Sequence, residues 1–242
     1  VVVDDAELVH RLGEPKALNV MMLAYAIIAV NKREDCVDNA LRGAITLEDI
    51  EAAIPLFAIK GYAGVTVREV LDAANISNIG AISYYFEGKE GLYTAILKSH
   101  FESTVILAES VNNSQDSPVE KLRYTIRSIA AAYQRSPHKL KLISNEVSNP
   151  TCCFEAIKEY IIRIQSISQS IIREGIDQGY FRPDADPGCL TLAMHGIAQF
   201  PFLLPNFSNT LLPDRDDKYD YYIAQATDYL LQGILVSPQR TP

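Results

Sequence analysis

The chain has 242 residues, a formal charge of −8, 48% hydrophobic and 21% charged residues, which gives room for one large domain or two small ones around a sizeable core. This composition excludes a disordered, fibrous or disulfide-scaffold reading of the whole chain. Its acidity excludes a surface that clings everywhere to nucleic acid or anionic lipid, while leaving room for a local DNA-binding face.

Residues 1–45 carry 5 basic and 7 acidic side chains, so this N-terminal extension is no basic arm, and no role is assigned to it. Its apolar run from Val20 to Val30 is roughly half of the ~20 residues that cross a bilayer. Ahead of that run stand Asp4, Asp5, Glu7 and Glu14 against Arg11 and Lys16, unlike the basic start of a secretory signal. The expectation is a cytoplasmic protein without a membrane partner. Ala17 to Val30 is too apolar for a solvated tail, which predicts an ordered helix packed on the body or on a second subunit. The four cysteines, Cys36, Cys152, Cys153 and Cys189, show neither C-x-x-C nor Cys/His zinc spacing, and are read as reduced thiols.

A first well-marked helix is predicted from Thr46 to Lys60, with Thr46 as cap, Glu48, Asp49 and Glu51 in its first turn, and Gly61 ending it. Thr66 then caps a short helix, Val67 to Ala74. The turn Asn75-Ile76-Ser77 leads into a third helix ending near Phe86, and Gly88 separates it from a long helix opening at Lys89. Two short helices joined by a tight turn, with a supporting helix before them, is the helix-turn-helix plan.

Leu56-Phe57-Ala58-Ile59-Lys60-Gly61-Tyr62, Thr66-Val67-Arg68-Glu69-Val70, Ala73-Ala74-Asn75-Ile76-Ser77 and Ile82-Ser83-Tyr84-Tyr85-Phe86-Glu87-Gly88-Lys89-Glu90-Gly91-Leu92-Tyr93 follow one another at telling intervals. In order and spacing this stretch resembles the DNA-binding domain of the tetracycline-repressor-like (TetR) family of bacterial transcriptional regulators. From Ala74 to Phe86 it is one residue longer than the commonest family spacing, the extra residue falling near Ile76-Ser77. Residues 46–100 hold Lys60, Arg68, Lys89 and Lys98 against seven carboxylates, 4 − 7 = −3, so a DNA-binding unit here must gather its few cations on one face.

The resemblance implies phosphate or base contact by at least one of Tyr84 and Tyr85, whose rings also suit packing in a small core. Lys89, beside the free amides of a helix N-terminus, suits a DNA phosphate or is a solvated surface lysine. Thr66 caps its helix in either case, and its hydroxyl is positioned to be shared with a phosphate. Asn78 and Ser83 are the polar candidates for reading base edges.

Beyond residue 100, breakers at 112–118, Ser136-Pro137, Asn149-Pro150, Pro183 to Gly188 and Pro205 to Asp217 leave helix-sized segments. Ile157, Ile161, Ile164 and Ile171 follow one helical face; Ile223, Ala226, Leu230 and Ile234 follow another. The segment from Met194 to Phe202 contains His195, Gln199 and Phe200, a mostly apolar set with a few polar groups that suits a small organic ligand or a core or dimer-face helix. Tyr124, Phe154 and Tyr160 are weaker ligand candidates, and His10, His100 and His138 are scattered along the chain. No catalytic, phosphate-loop, cofactor or metal motif has supporting context.

The fold class expected is all-α, with about nine helices after residue 45. A three-helix helix-turn-helix DNA-binding domain over 46–93 precedes a larger helical ligand-binding and dimerisation domain over 94–242. The function expected is a non-enzymatic, dimeric DNA-binding regulator, a repressor released from a palindromic operator by a small molecule. The alternative is a helical adaptor of the same fold acting through protein contacts. The last two helices, apolar on more than one face, predict a two-fold four-helix-bundle dimer.

Overall fold

In the computed structural model, which describes residues 51–76, 82 and 86–236, nine α-helices follow one another among the described residues, and the only extended pairing is an isolated antiparallel bridge between Phe181 and Leu235. The expected helix at Ala17 to Val30 and the Thr46 cap lie outside those residues. So do Asn78, Ser83, Tyr84 and Tyr85.

Helix α1 spans Ile54–Lys60. The single helix expected over 46–60 is interrupted, because Ala52 and Ala53 form a turn and Pro55 follows in the first turn of α1, where a ring without an amide proton opens a helix but cannot continue one. Helix α2 spans Val67–Ala73 and opens on a complete capping box: the Glu69 amide donates to Thr66 Oγ1, and the Thr66 amide donates to the Glu69 carboxylate. It closes with Asn75 in the left-handed region at φ 56°, the Asn75 amide donating to Asp72 and that of Ile76 to Leu71. This paired closure turns the chain sharply toward the next helix.

Helix α3, Lys89–Asn112, follows a turn with Glu87 at φ 57° and Gly88 at φ 106°. A Cβ on Gly91 would lie 1.7 Å from the Phe86 carbonyl oxygen, so only glycine lets the end of the preceding helix approach this closely. Helices α4 (Pro118–Arg135), α5 (Pro137–Ser148), α6 (Glu155–Asp177), α7 (Pro187–Leu203), α8 (Pro205–Leu211) and α9 (Lys218–Ile234) complete the order.

Helix α8 lies inside the stretch expected to be a loop from Pro205 to Asp217. Pro205 breaks α7, since the residue before a proline avoids helical dihedrals, and then starts a new helix bent 98° away from it. No single helix among the described residues is long and apolar enough to cross a membrane.

The core of the larger bundle joins Leu122 and Ile126 of α4, Ile171 and Ile172 of α6, Met194 and Ala198 of α7, Ile223 and Leu231 of α9, and Phe181. Fully burying each large aliphatic side chain contributes about 1.5–3 kcal/mol. On α6, Ile157, Ile164 and Ile171 of the expected face are buried and Ile161 is half-buried. On α9 the buried face is Ile223, Thr227, Leu231 and Ile234, one step round from the expected Ala226 and Leu230, which are half-buried.

Candidate nucleic-acid interface and cavity

Lys89, the first residue of α3, turns its ammonium back onto the loop between α1 and α2. Its Nζ donates to the carbonyl oxygens of Tyr62 and Val65, each at 3.0 Å, and sits 4.4 Å from the centre of the Tyr62 ring. The side chain expected either to meet a phosphate or to stand free in solvent thus closes the helix-turn-helix loop. The amides of the first turn of α3 remain without helical acceptors, because Leu92 is the first to bond back, to Gly88.

The remaining cations are unevenly committed. Lys60 ends α1 and pairs with Glu69 of the α2 capping box. Lys60 and the two Thr66 donors hold the Glu69 carboxyl well down, at about 2. Arg68 is exposed at the second position of α2 and makes no ion pair among the described residues. It joins Thr66 on the N-terminal turn of α2 and, like Lys60, was not among the sequence candidates. Its position two residues after a Thr cap is the signal that was available.

Behind this face a polar joint holds the helix-turn-helix to the bundle. Tyr93 of α3 packs between Phe57 and Tyr62 with tilted rings, centres 4.8 and 5.0 Å away. Its hydroxyl donates to Oε2 of the buried Glu146 of α5 at 3.1 Å. Burial and that carboxylate raise the Tyr93 phenol well above its ordinary value. Glu146 Oε1 accepts from the amide and hydroxyl of Thr151, each at 3.0 Å, while Asn145 Nδ2 donates to the Ala58 carbonyl of α1 at 3.4 Å.

The next residues of α5, Ile143, Ser144, Val147 and Ser148, line a cavity of about 520 Å³. His100, Phe101 and Thr104 of α3 line it from one side, and Thr191, His195 and Gln199 of α7 from another. Two histidines far apart in sequence therefore meet one cavity, a juxtaposition that their scatter along the chain concealed. Burial, then the charge of Lys139, lowers the His100 imidazole to about 4, and burial also lowers His195, whose Nδ1 lies 3.2 Å from Gln199 Nε2. No charged side chain is among the described residues that line the cavity.

Of the sequence candidates for ligand contact, His195 and Gln199 reach this cavity. Tyr124 and Phe200 are exposed, Phe154 lies in the turn before α6, and the Tyr160 hydroxyl donates to Glu102 at 2.9 Å. None of these four lines the cavity: Tyr124, Tyr160 and Phe200 project from other sides of their helices than the lining residues do, and Phe154 stands ahead of its helix.

The family model for bacterial regulatory proteins of the tetR family matches residues 50–96, and that for the tetracyclin repressor-like C-terminal domain matches residues 118–216. The chain is 30% identical over 167 residues, 67% of its length and 79% of the relative's, to the probable HTH-type transcriptional regulator YttP of Bacillus subtilis. It is 26% identical over 197 residues, 76% of its length and 90% of the relative's, to the HTH-type transcriptional repressor NicS of Pseudomonas putida. Among solved structures, the ketosteroid transcriptional regulator KstR2 of Mycobacterium tuberculosis shares the fold at a TM-score of 0.63 and 21% identity, over 78% of this chain and 94% of that one. FadR from Bacillus subtilis in complex with stearoyl-CoA does so at 0.64 and 18%, over 78% and 98%. With both family models matched in chain order and a relative of this identity, the chain belongs to the TetR family of transcriptional regulators.

Proposed function

We propose that the protein is a homodimeric cytoplasmic repressor whose helix-turn-helix domain, residues 46–93, binds a palindromic operator and whose domain over 94–242 releases it when a small organic ligand fills the cavity. The observation that carries this reading is that α5 has two working faces. Asn145 and Glu146 hold the DNA-binding helices, while Ile143, Ser144 and Val147 line the cavity. A ligand that displaces α5 therefore moves the joint as well, and differential affinity for two dimer states is all that release requires. Adjacent major grooves present half-sites about 34–36 Å apart, so a small change in subunit separation mismatches both recognition helices.

The lining suits an uncharged ligand with an apolar body and several hydrogen-bonding groups, since neutral imidazoles, hydroxyls and amides face it alongside Phe101, Ile143 and Val147. Binding of the duplex upstream of the protein's own gene, followed by fluorescence anisotropy, tests the DNA reading. Sequence-independent binding alone, or none, would favour a helical adaptor that works through protein contacts.

A further inference from the structure

Cys152 and Cys153 stand at the joint, outside both the cavity and the DNA-facing turn. Their Sγ atoms are 3.9 Å apart. Cys152 is exposed and its thiol donates to the Tyr62 hydroxyl at 3.9 Å; Cys153 is buried and its thiol donates to the Glu90 carbonyl in the first turn of α3 at 3.7 Å. We propose that these adjacent thiols are a bidentate capture site for a thiophilic trivalent arsenoxide, and that its occupation weakens DNA binding by pulling Cys153 away from the α3 N-terminus.

Geometry separates this from a disulfide switch. Neighbouring Cα atoms across a trans peptide are about 3.8 Å apart, below the roughly 4.4–6.8 Å that an unstrained disulfide spans, and the sulfurs would have to close to about 2.05 Å. One soft atom bonded to both sulfurs at about 2.3 Å, the length of a metal–thiolate bond, bridges the observed gap with little main-chain movement. Two ligands suffice for such an atom, and no group of three His, Cys, Asp or Glu side chains able to hold a metal ion exists among the described residues. The reaction balances without an oxidant. An organoarsenic dihydroxide loses both As–OH groups, two As–S bonds form, each thiol proton leaves on a released hydroxide as water, and arsenic stays trivalent.

Phenylarsine oxide is the probe, added to the full chain in a Cys36→Ser/Cys189→Ser background so that only the pair reports. The expected result is one adduct per chain by intact mass, loss of both thiols titratable by a disulfide reagent, resistance to excess 2-mercaptoethanol and reversal by a dithiol. Cys152→Ser, at an exposed position, should leave the fold intact and make any adduct labile to the monothiol. An adduct equally labile in the parent, or equally stable in Cys152→Ser, would overturn bidentate capture. The DNA arm rests on the functional reading above: affinity for the upstream duplex is expected to fall several-fold in the treated parent and to stay unchanged in treated Cys152→Ser. Capture with unaltered DNA affinity overturns the coupling. Capture by a protein that binds no DNA before treatment leaves the site standing and sinks the functional reading instead.

Discussion

The Tyr93 hydroxyl donates to the Glu146 carboxylate at 3.1 Å across 53 residues of sequence, joining the first turns of α3 to the end of α5. Glu146 is 1% exposed, so each donor that it loses leaves a buried charge less compensated. Tyr93→Phe keeps the ring packing and removes only the bond, and should cost about 1.5–3 kcal/mol, the range for hydrogen bonds to charged groups. Urea denaturation at pH 7 measures this. A midpoint equal to that of the parent would show that Glu146 is held by Thr151 alone.

Lys89 and Arg68 are the two cations to test for phosphate contact, Lys89 with a structural role besides. Lys89→Ala removes two carbonyl contacts and the charge over Tyr62, so it should lower stability by about 1–3 kcal/mol. It should also weaken operator and scrambled duplexes alike, with the salt slope falling by about one unit per lost phosphate contact. Arg68→Ala, at an exposed position without an ion pair among the described residues, should leave the melting temperature unchanged and lower affinity for both duplexes. Anisotropy over a salt series reads both variants. An unchanged slope in Lys89→Ala would assign that residue to the loop alone.

Base reading is proposed for Asn78 and Ser83, which the TetR resemblance places among the polar candidates. Asn78→Ala should weaken operator binding by roughly 1–3 kcal/mol per half-site and leave non-specific binding nearly as it was. Tyr85→Phe should cost about 0.5–1.5 kcal/mol if its hydroxyl makes one neutral hydrogen bond. Equal losses on operator and scrambled duplexes from Asn78→Ala would remove it from the reading set.

Acid should act in two separable windows. His100 is lowered in the folded state from 6.5 to about 4, so below pH 6.5 the unfolded chain takes up a proton that the folded chain refuses. Stability then falls as pH drops from 6.5 toward 4, with His195 acting in the same direction. Glu69 is lowered from 4.5 to about 2, so its contribution is present above pH 4.5 and lost as pH falls through 2. Urea midpoints at pH 7 and 5 should differ less in His100→Gln than in the parent. An equal difference in both proteins would remove His100 from the upper window.

The exposed apolar side chains of α7 and α9 should form the subunit contact. Leu192 is 76% exposed and Tyr229 67%, and a two-fold interface would cover both. Leu192→Glu combined with Tyr229→Glu should shift a micromolar dimer to monomer in sedimentation equilibrium. A dimer constant left unchanged would place the interface elsewhere.

Local signals determined much of this protein in advance. A threonine followed three residues later by glutamate sets the start of α2, glycine sets the turn before α3, and proline or serine marks most later helix starts, since these depend on neighbouring backbone groups alone. The Thr66 cap stands where that logic puts it, and the order and spacing of the motifs over 56–93 carry the TetR resemblance. Other features depended on packing between distant segments. Local sequence carried no sign that Lys89 folds back onto the carbonyls of residues 62 and 65, because its acceptors lie 27 and 24 residues upstream. The buried face of α9 chose Thr227 and Leu231 over Ala226 and Leu230, because the core it meets, not helical periodicity, selects among neighbouring stripes. His100 and His195 share one cavity only because tertiary packing brings α3 and α7 to the same lining, and the joining of Tyr93 to Glu146 was likewise decided by tertiary structure.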